Sequence, residues 1–255
     1  MSDPESREFV QSFARGLAVI RVFDAAHPEL TLSEVAARAE MTRAAARRFL
    51  HTLETLGYVR QAGRGFSLTP RVLELGFSYL SALSLPEIAQ PHLEHLSRQV
   101  DESVSAAVLD GSDIVYIARV PTRRIMSVGI TIGTRFPAHA TSMGRVLLAS
   151  LPSAERDAAL DGPLASPATG APVDRGALAA ALDRAAADGY AVVDGELEPG
   201  VRSVAAPIHG RGDRVIAAMN VSTSTTRVSL ERLRADIVPA LRETARAIDA
   251  ELRHL

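Results

Sequence analysis

Phe9, Phe13, Leu17, Ile20 and Phe23 recur at intervals of three or four, with polar residues between them. That spacing predicts an amphipathic helix ending near His27-Pro28. Thr31-Leu32-Ser33-Glu34 then has the form of a capping box, which opens a short helix with Leu32, Val35, Ala36 and Ala39 on one face. A tight break is expected at Glu40-Met41. Thr42 is a good N-cap for a third helix, with Ala46, Phe49, Leu50, Leu53 and Leu56 facing inward and Gly57 as its C-terminal cap. Tyr58–Arg60 and Phe66–Leu68 read as two short strands around a glycine-bearing hairpin, Gln61 to Gly65.

Thr69-Pro70 places a cap before a proline at a first helical position and predicts a helix to about Leu83. Its apolar residues, from Val72 to Leu83, cover more than one stripe, as in a helix packed from several sides, including by another chain. A further helix follows over 86–100. Strands are expected at Ser103–Leu109, Ile114–Val120, Ile125–Ile132, Tyr190–Asp194, Ser203–His209 and Val215–Ser222. Helices are expected at Ser142–Leu151, Ser153–Leu160, Asp174–Asp188 and, as one long amphipathic element, 229–253. Hairpin turns between strands point to an antiparallel or mixed sheet with helices packed on it, an α+β arrangement.

The chain of 255 residues suits one large or two small domains, and its 47% hydrophobic content suffices for a core. With no cysteine, disulfides, thiolate catalysis and cysteine-type zinc sites are excluded. No apolar run reaches the ~20 residues of a membrane helix, and the polar start MSDPESREF is no signal peptide. The expectation is a cytoplasmic protein. All 28 basic residues are arginine, so Schiff-base chemistry and a lysine-bearing phosphate loop are also excluded.

The net charge of -2 does not favour nucleic acid, but its distribution does. Residues 41–64 hold Arg43, Arg47, Arg48, Arg60 and Arg64 against the single acid Glu54. Helix, short helix, tight turn, helix, hairpin is the order of a winged helix-turn-helix. Arg43 and Arg47 lie four apart on the exposed face of the helix that enters a major groove, where arginine pairs with guanine or phosphate. Arg48 flanks them. Arg64, at the hairpin tip, is placed to reach backbone or minor groove. Thr31 and Thr42 present hydroxyls and N–H groups at helix starts, suited to phosphates.

Elsewhere the chain carries little chemistry. His92 and His95 lack a carboxylate at metal-binding spacing and read as surface residues. Asp194 and Glu196 read as a polar turn rather than an acid–base pair. His139, just before a helix, is placed to line a pocket. No nucleophile elbow, phosphate loop or dinucleotide fingerprint is present. No catalytic residue, metal or cofactor is therefore expected. One segment does point to a ligand. Ala140-Thr141-Ser142-Met143-Gly144 starts a helix after a loop, and the free N–H groups there favour an anion such as a carboxylate.

Several motifs in order carry a resemblance. They are FARGLAVI from Phe13, LSEVA from Leu32, FLHTLETLGYV from Phe49, PAHATSMGR from Pro137, and Glu196 followed by GVRSVAAP from Gly200. Over essentially its full length the chain resembles IclR-family transcriptional regulators. MTRAAARRFLHTLETLGYV and the stretch from Asp113 to Ala149 are similar to a narrower group that regulates protocatechuate, β-ketoadipate and 4-hydroxybenzoate catabolism. The resemblance implies a winged helix-turn-helix over 9–68 after a tail at 1–8, a linker helix over 69–84, and a GAF-like (profilin-like) effector domain with an antiparallel sheet over 85–255. It implies homodimers, often dimers of dimers, on palindromic promoter DNA. DNA contacts would fall on Thr31, Thr42, Arg43, Ala44, Arg47, Arg48, His51 and Arg64. Effector contacts would fall on Val128, Phe136, Ser142, Met143, Asp194, Ser203, Asn220 and Ser222, with Ser142 and Met143 offering backbone N–H groups to a carboxylate. Met143 stands where relatives responsive to glyoxylate have small residues, and Asn220 replaces a common serine. Arg119, Arg123, Arg124 and Arg135 could each reach a second carboxylate, and spacing does not choose among them. A regulator answering to a different small organic acid stays open. A metabolite-binding enzyme is disfavoured by the missing nucleophile, metal and cofactor motifs.

Overall fold

The computed structural model describes residues 9–75, 85–122 and 130–253. The chain forms two compact units, residues 1–82 and 83–255.

In the first unit, α1 (Gln11–Arg21), β1 (Leu30–Thr31), α2 (Leu32–Arg38) and α3 (Arg43–Thr55) precede a hairpin of β2 (Val59–Ala62) and β3 (Gly65–Leu68). The sheet is antiparallel, in the order β1-β3-β2. Its core joins Val19, Phe23, Leu30, Val35, Ala36, Ala46, Leu50, Leu53, Val59 and Phe66. The capping box forms as expected: Glu34 accepts from the Thr31 N–H at 2.7 Å, and its own N–H donates to the Thr31 hydroxyl at 3.4 Å. The break between α2 and α3 turns on Glu40, at φ 50°. Gly57, at φ 81°, ends α3 in a Schellman turn, with the Tyr58 N–H donating to the Leu53 carbonyl at 2.8 Å.

The expectations for α1 and for Leu56 are corrected here. α1 stops at Arg21 because the Asp24 carboxylate captures the N–H groups of Ala26 and His27, at 2.9 and 2.7 Å, and so forms a turn. The apolar stripe is divided: Phe9, Phe13 and Leu17 are exposed, Phe13 68% so, while Ile20 packs against the core and Phe23 is part of it. Leu56, expected inside, is exposed as well.

Thr69 caps a 3-10 turn, Pro70–Leu73, by accepting from the Arg71 N–H at 3.2 Å. The rest of the expected linker helix, 76–84, lies outside the described residues.

The second unit begins with α4 (Leu85–Val100). Its sheet is built from β4 (Ser103–Asp110), β5 (Asp113–Val120), β6 (Arg135–Pro137), β7 (Ala191–Asp194), β8 (Val201–His209) and β9 (Val215–Ser224), fully antiparallel in the order β6-β5-β4-β9-β8-β7. One face packs on α4 and the C-terminal helix through Leu93, Leu96, Met219, Val221, Leu241 and Ile248. The other packs on α5 (Ser142–Ala149) and, after the short α6 (Ser153–Ala159), on α7 (Arg175–Asp188). Helices on both faces hide alternate residues of each strand from water, which explains why β4 is buried from Ser103 to Val108.

The long C-terminal helix is interrupted. α8 (Leu230–Arg232) runs through a π turn, Leu233–Ile237, into α9 (Val238–Leu252). Pro239 has no N–H for the turn before it, and the wider π turn accommodates its ring. The strand expected at 125–132 also differs. Residues 125–129 lie outside the described residues, and 130–132 are not strand. Instead Gly133, at φ 86°, donates its N–H to the Tyr116 carbonyl at 2.8 Å, and pairing continues along β6.

Gly144 fixes how α5 meets the sheet. A Cβ there would lie 2.1 Å from the Ala138 carbonyl oxygen and 2.4 Å from its Cα, so only glycine allows the approach. Gly144→Ala is expected to destabilise the second unit by at least the ~1–3 kcal/mol usual for overpacking, because backbone rather than a side chain must yield. Urea unfolding of this unit, followed by circular dichroism, checks it. An unchanged midpoint would contradict the packing described.

Candidate functional site

The first unit carries a positively charged groove. Thr31, Ser33, Arg43, Arg47, His51, Gln61, Gly63 and Arg64 line it, with Glu54 as an acidic member. Arg43, Arg47 and His51 follow at four-residue steps along one exposed face of α3, and the hairpin brings Arg64 to the same concavity. Among the described residues, Arg43, Arg47, Arg48 and Arg64 form no ion pair, so their charge is not neutralised within the unit. Five of the eight expected DNA-contacting residues thus converge. Thr42, Ala44 and Arg48 are exposed on α3 or at its cap but are not part of the groove wall.

Thr31 differs in detail from the expectation. Its N–H and its hydroxyl both donate to the Glu34 carboxylate, each at 2.7 Å. These bonds hold Glu34 below the usual carboxylate range. Thr31 is therefore committed to capping, and Leu32 and Ser33 present the groove wall beside it. Ser33, Gln61 and Gly63 are groove residues that sequence reasoning missed, and Gln61 brings a side-chain amide. The sequence placed it in the turn between the two strands, whereas it lies on β2.

The second unit holds a cavity of about 230 Å³ against the α5 face of the sheet. Register explains its floor. Ser222 of β9 stands opposite Ser103 of β4 and Ser203 of β8, and Ser203 opposite Val193 of β7. One step along, Asn220 stands opposite Ser105 and Ala205. Ser203, Ser222 and Asn220 line the cavity. Its apolar walls are Tyr116, Ile130, Phe136, Pro137, Val193 and Val201. The Tyr116 and Phe136 rings meet edge to face, with centroids 5.9 Å apart. Burial pushes the Tyr116 phenol up to about 12, against a smaller opposing pull from Arg119, so it stays a neutral group.

Two loops close over the cavity through Pro167, Leu197 and Glu198. They are tied together and to α5. The Ala168 N–H donates to the Glu196 carbonyl at 3.4 Å, and the Glu196 carboxylate pairs with Arg145 of α5. His139 belongs to this clamp rather than to the cavity wall. It is buried, its Nε2 lies 3.1 Å from the Ala165 carbonyl, and its own carbonyl accepts from Arg145 Nε at 3.0 Å.

The N-terminus of α5 abuts the cavity. Ala140 and Thr141 are on its wall, and the Thr141 hydroxyl accepts from the Gly144 N–H at 3.0 Å. The next two N–H groups, of Ser142 and Met143, have no acceptor of their own within the helix. Ser142 is 1% exposed, and its hydroxyl has no hydrogen-bond partner; the same holds for Oδ1 of Asn220. Buried polar atoms without partners cost stability unless something satisfies them. Asn220 lines the cavity, whereas Ser142 is not on its wall but follows the wall residue Thr141 at a positive helix end. The arrangement can bind a small carboxylate with an apolar body.

The remaining expected residues fall as follows. The Met143 side chain is fully buried in the core with Ala107, Ile114 and Tyr116, and neither Met143 nor Ser142 is on the cavity wall. Asp194 is not on the wall: its carboxylate accepts from Arg202 at 2.6 Å, and Arg202 also donates to the Val228 carbonyl at 2.7 Å. Val128, Arg123 and Arg124 lie outside the described residues. Arg135 is committed to Asp110 and Asp113, at 2.6 and 3.2 Å. Among the described residues, no group of three or more His, Cys, Asp or Glu side chains could hold a metal, and no helix is long and apolar enough to cross a membrane.

Residues 12–63 match the IclR helix-turn-helix domain, and residues 77–250 match the bacterial transcriptional regulator IclR C-terminal domain. The chain is 42% identical over 247 residues to the Pca regulon regulatory protein of Pseudomonas putida, covering 96% of this chain and 85% of that one. It is 34% identical over 261 residues to the p-hydroxybenzoate hydroxylase transcriptional activator of Acinetobacter baylyi, covering 98% and 93%. Among solved structures, a transcriptional regulator from Rhodococcus sp. RHA1 is similar at 58% identity and a TM-score of 0.85, over 95% of this chain and 98% of that one. An IclR homolog from Microbacterium hydrocarbonoxydans, solved with 4-hydroxybenzoate, is similar at 28% identity and a TM-score of 0.85, over 96% and 100%. The chain, with its basic helix-turn-helix groove and its enclosed carboxylate-sized cavity, belongs to the IclR family of bacterial transcriptional regulators.

Proposed function

We propose that this protein is a sequence-specific DNA-binding regulator of genes for aromatic-acid catabolism, switched by a small carboxylate effector. The observation that carries the reading is the unpartnered buried Oδ1 of Asn220 on the wall of a cavity that the α5 N-terminus, with the unpartnered Ser142 hydroxyl, adjoins at Thr141. The Pca regulon and p-hydroxybenzoate relatives supply the aromatic-acid context. In this reading, α3 enters the major groove and reads bases with Arg43 and Arg47, while Arg64 reaches backbone or minor groove. The effector carboxylate takes the Ser142 and Met143 N–H groups. The effector alters DNA binding through its different affinities for two arrangements of the chain.

The working unit is a homodimer, paired into a dimer of dimers, on a palindromic promoter site in the cytoplasm. Phe9, Phe13, Leu17, Leu56 and Leu73 support this, since they leave an unusual amount of apolar surface on a small unit. The palindrome follows from two-fold symmetry.

Arg47→Ala is expected to weaken binding to the protein's own upstream intergenic DNA by about 1–3 kcal/mol and to relax preference at one base position. Fluorescence anisotropy over a panel of sites measures both. An unchanged dissociation constant and site preference would contradict the role given to Arg47.

In thermal-shift measurements, 4-hydroxybenzoate or protocatechuate should raise the unfolding temperature of the full chain, as expected for a ligand bound only by the native state. Asn220→Leu should abolish that rise while leaving the unliganded protein at least as stable, because it removes an unpaired buried amide. A rise that persists in the variant would place the effector elsewhere.

A further inference from the structure

The second unit holds another cavity, of about 340 Å³, that shares no lining residue with the effector cavity. α5 runs between the two. Thr141, its N-cap, is on the effector cavity, and Ala149 and Ser150, at its other end, are on this one. A shortfall of the sheet makes room for it. β7 pairs with β8 only as far as Ala191 opposite Ala205, while β8 runs on to His209. The bare edge is closed to another strand: Pro207 has no N–H to offer, and the His209 N–H donates to Asp249 Oδ1 at 2.7 Å. The edge therefore leaves a pocket of side chains rather than a place for strand pairing.

His209, Arg242, Arg246 and Asp249 converge on that pocket, and the rest of the wall is mostly apolar, Val146 and Val215 included. Arg242, Arg246 and Asp249 follow at steps of four and three along one face of α9. Asp249 is buried, and both of its oxygens are taken by His209, Oδ1 by the backbone N–H and Oδ2 by Nδ1 at 2.9 Å. A carboxylate at Nδ1 sets the hydrogen there and leaves Nε2 as the uncommitted ring nitrogen. Among the described residues, neither Arg242 nor Arg246 makes a side-chain hydrogen bond or ion pair, so the five N–H donors of each are unused. Arg242 reaches the C-terminal end of α7, 3.7 Å from where a Gly189 Cβ would stand. The ends of α5 and α7 bring only about half a negative charge each, less than the two guanidiniums supply.

We infer that this cavity is a second ligand site, which takes the phosphate group of a small phosphate monoester between Arg242, Arg246 and Nε2 of His209. Guanidinium forks match phosphate oxygens in pairs. A phosphate monoester loses its second proton near pH ~6, so at neutral pH it can give a hydrogen to Nε2 as well as take one from it. A carboxylate or sulfate is fully ionised there and can only take one. The apolar wall favours an ester over bare phosphate. The inference does not depend on what the effector cavity binds.

The test is calorimetric titration of the full chain in phosphate-free buffer with phenyl phosphate, phenyl sulfate and inorganic phosphate. Phenyl phosphate should bind about tenfold or more tightly than phenyl sulfate, which has its shape but no titrating proton, and more tightly than inorganic phosphate. Arg242→Gln with Arg246→Gln should lose about tenfold or more of that affinity, as expected when charge-assisted bonds are removed. Both side chains are exposed, so the doubly substituted protein should unfold at the wild-type temperature, and either single variant serves if it does not. Asn220→Leu, in the effector cavity, should bind phenyl phosphate as the wild type does. Failure to bind phenyl phosphate, equal affinity for the sulfate, affinity that survives both arginine substitutions, or affinity lost in Asn220→Leu would each overturn the inference.

Discussion

The contact between Gly144 and the Ala138 backbone is the constraint on which the effector unit depends. It lets the first turn of α5 sit directly on the 3-10 turn at Ala138–Ala140, with no side chain between them. Everything useful about the cavity follows from that closeness. Ala140 and Thr141 become wall, Thr141 caps Gly144, and the Ser142 and Met143 N–H groups follow directly behind that wall. The same packing buries Ser142 and leaves its hydroxyl without a partner. The free energy forgone there is returned only when a suitable ligand arrives, which is how a binding site differs from a core.

The second requirement is that the site close. Arg145 leaves the same helix two residues after Met143. It holds the loop after β7 through Glu196, while the other loop bonds to that residue's carbonyl. Helix and both loops thus form one connected set of contacts. The Asp194–Arg202 pair at the base of that loop belongs to the same framework.

Much of this was legible in the chain. The capping box, the Gly57 cap and the arginine spacing of α3 are local signals, and local hydrogen bonds decide them. The helix-start signal at Thr141-Ser142-Met143-Gly144 is local too. What was not legible depended on register and on long-range pairing. That Asn220 and Ser203 share a floor required knowing that β9 lies between β4 and β8. The β5 bulge that sends Ile117 and Ala118 into the same core cannot be read from alternation alone, since they look like an ordinary apolar pair. Periodicity also could not divide the α1 stripe: Phe13 and Leu17 share their spacing with Phe23, but only Phe23, together with Val19, enters the core. Hydrophobic spacing says that a face is apolar and not what it is buried against.

The central claim is that a carboxylate completes the α5 N-terminus. A crystal structure of the chain soaked or grown with 4-hydroxybenzoate tests it most directly. The account predicts the carboxylate within hydrogen-bond distance of the Ser142 and Met143 N–H groups, with the ring between Tyr116 and Phe136 on one side and Asn220 on the other. An acid bound with its carboxylate elsewhere, or a cavity left empty while the ligand occupies a different site, would contradict it.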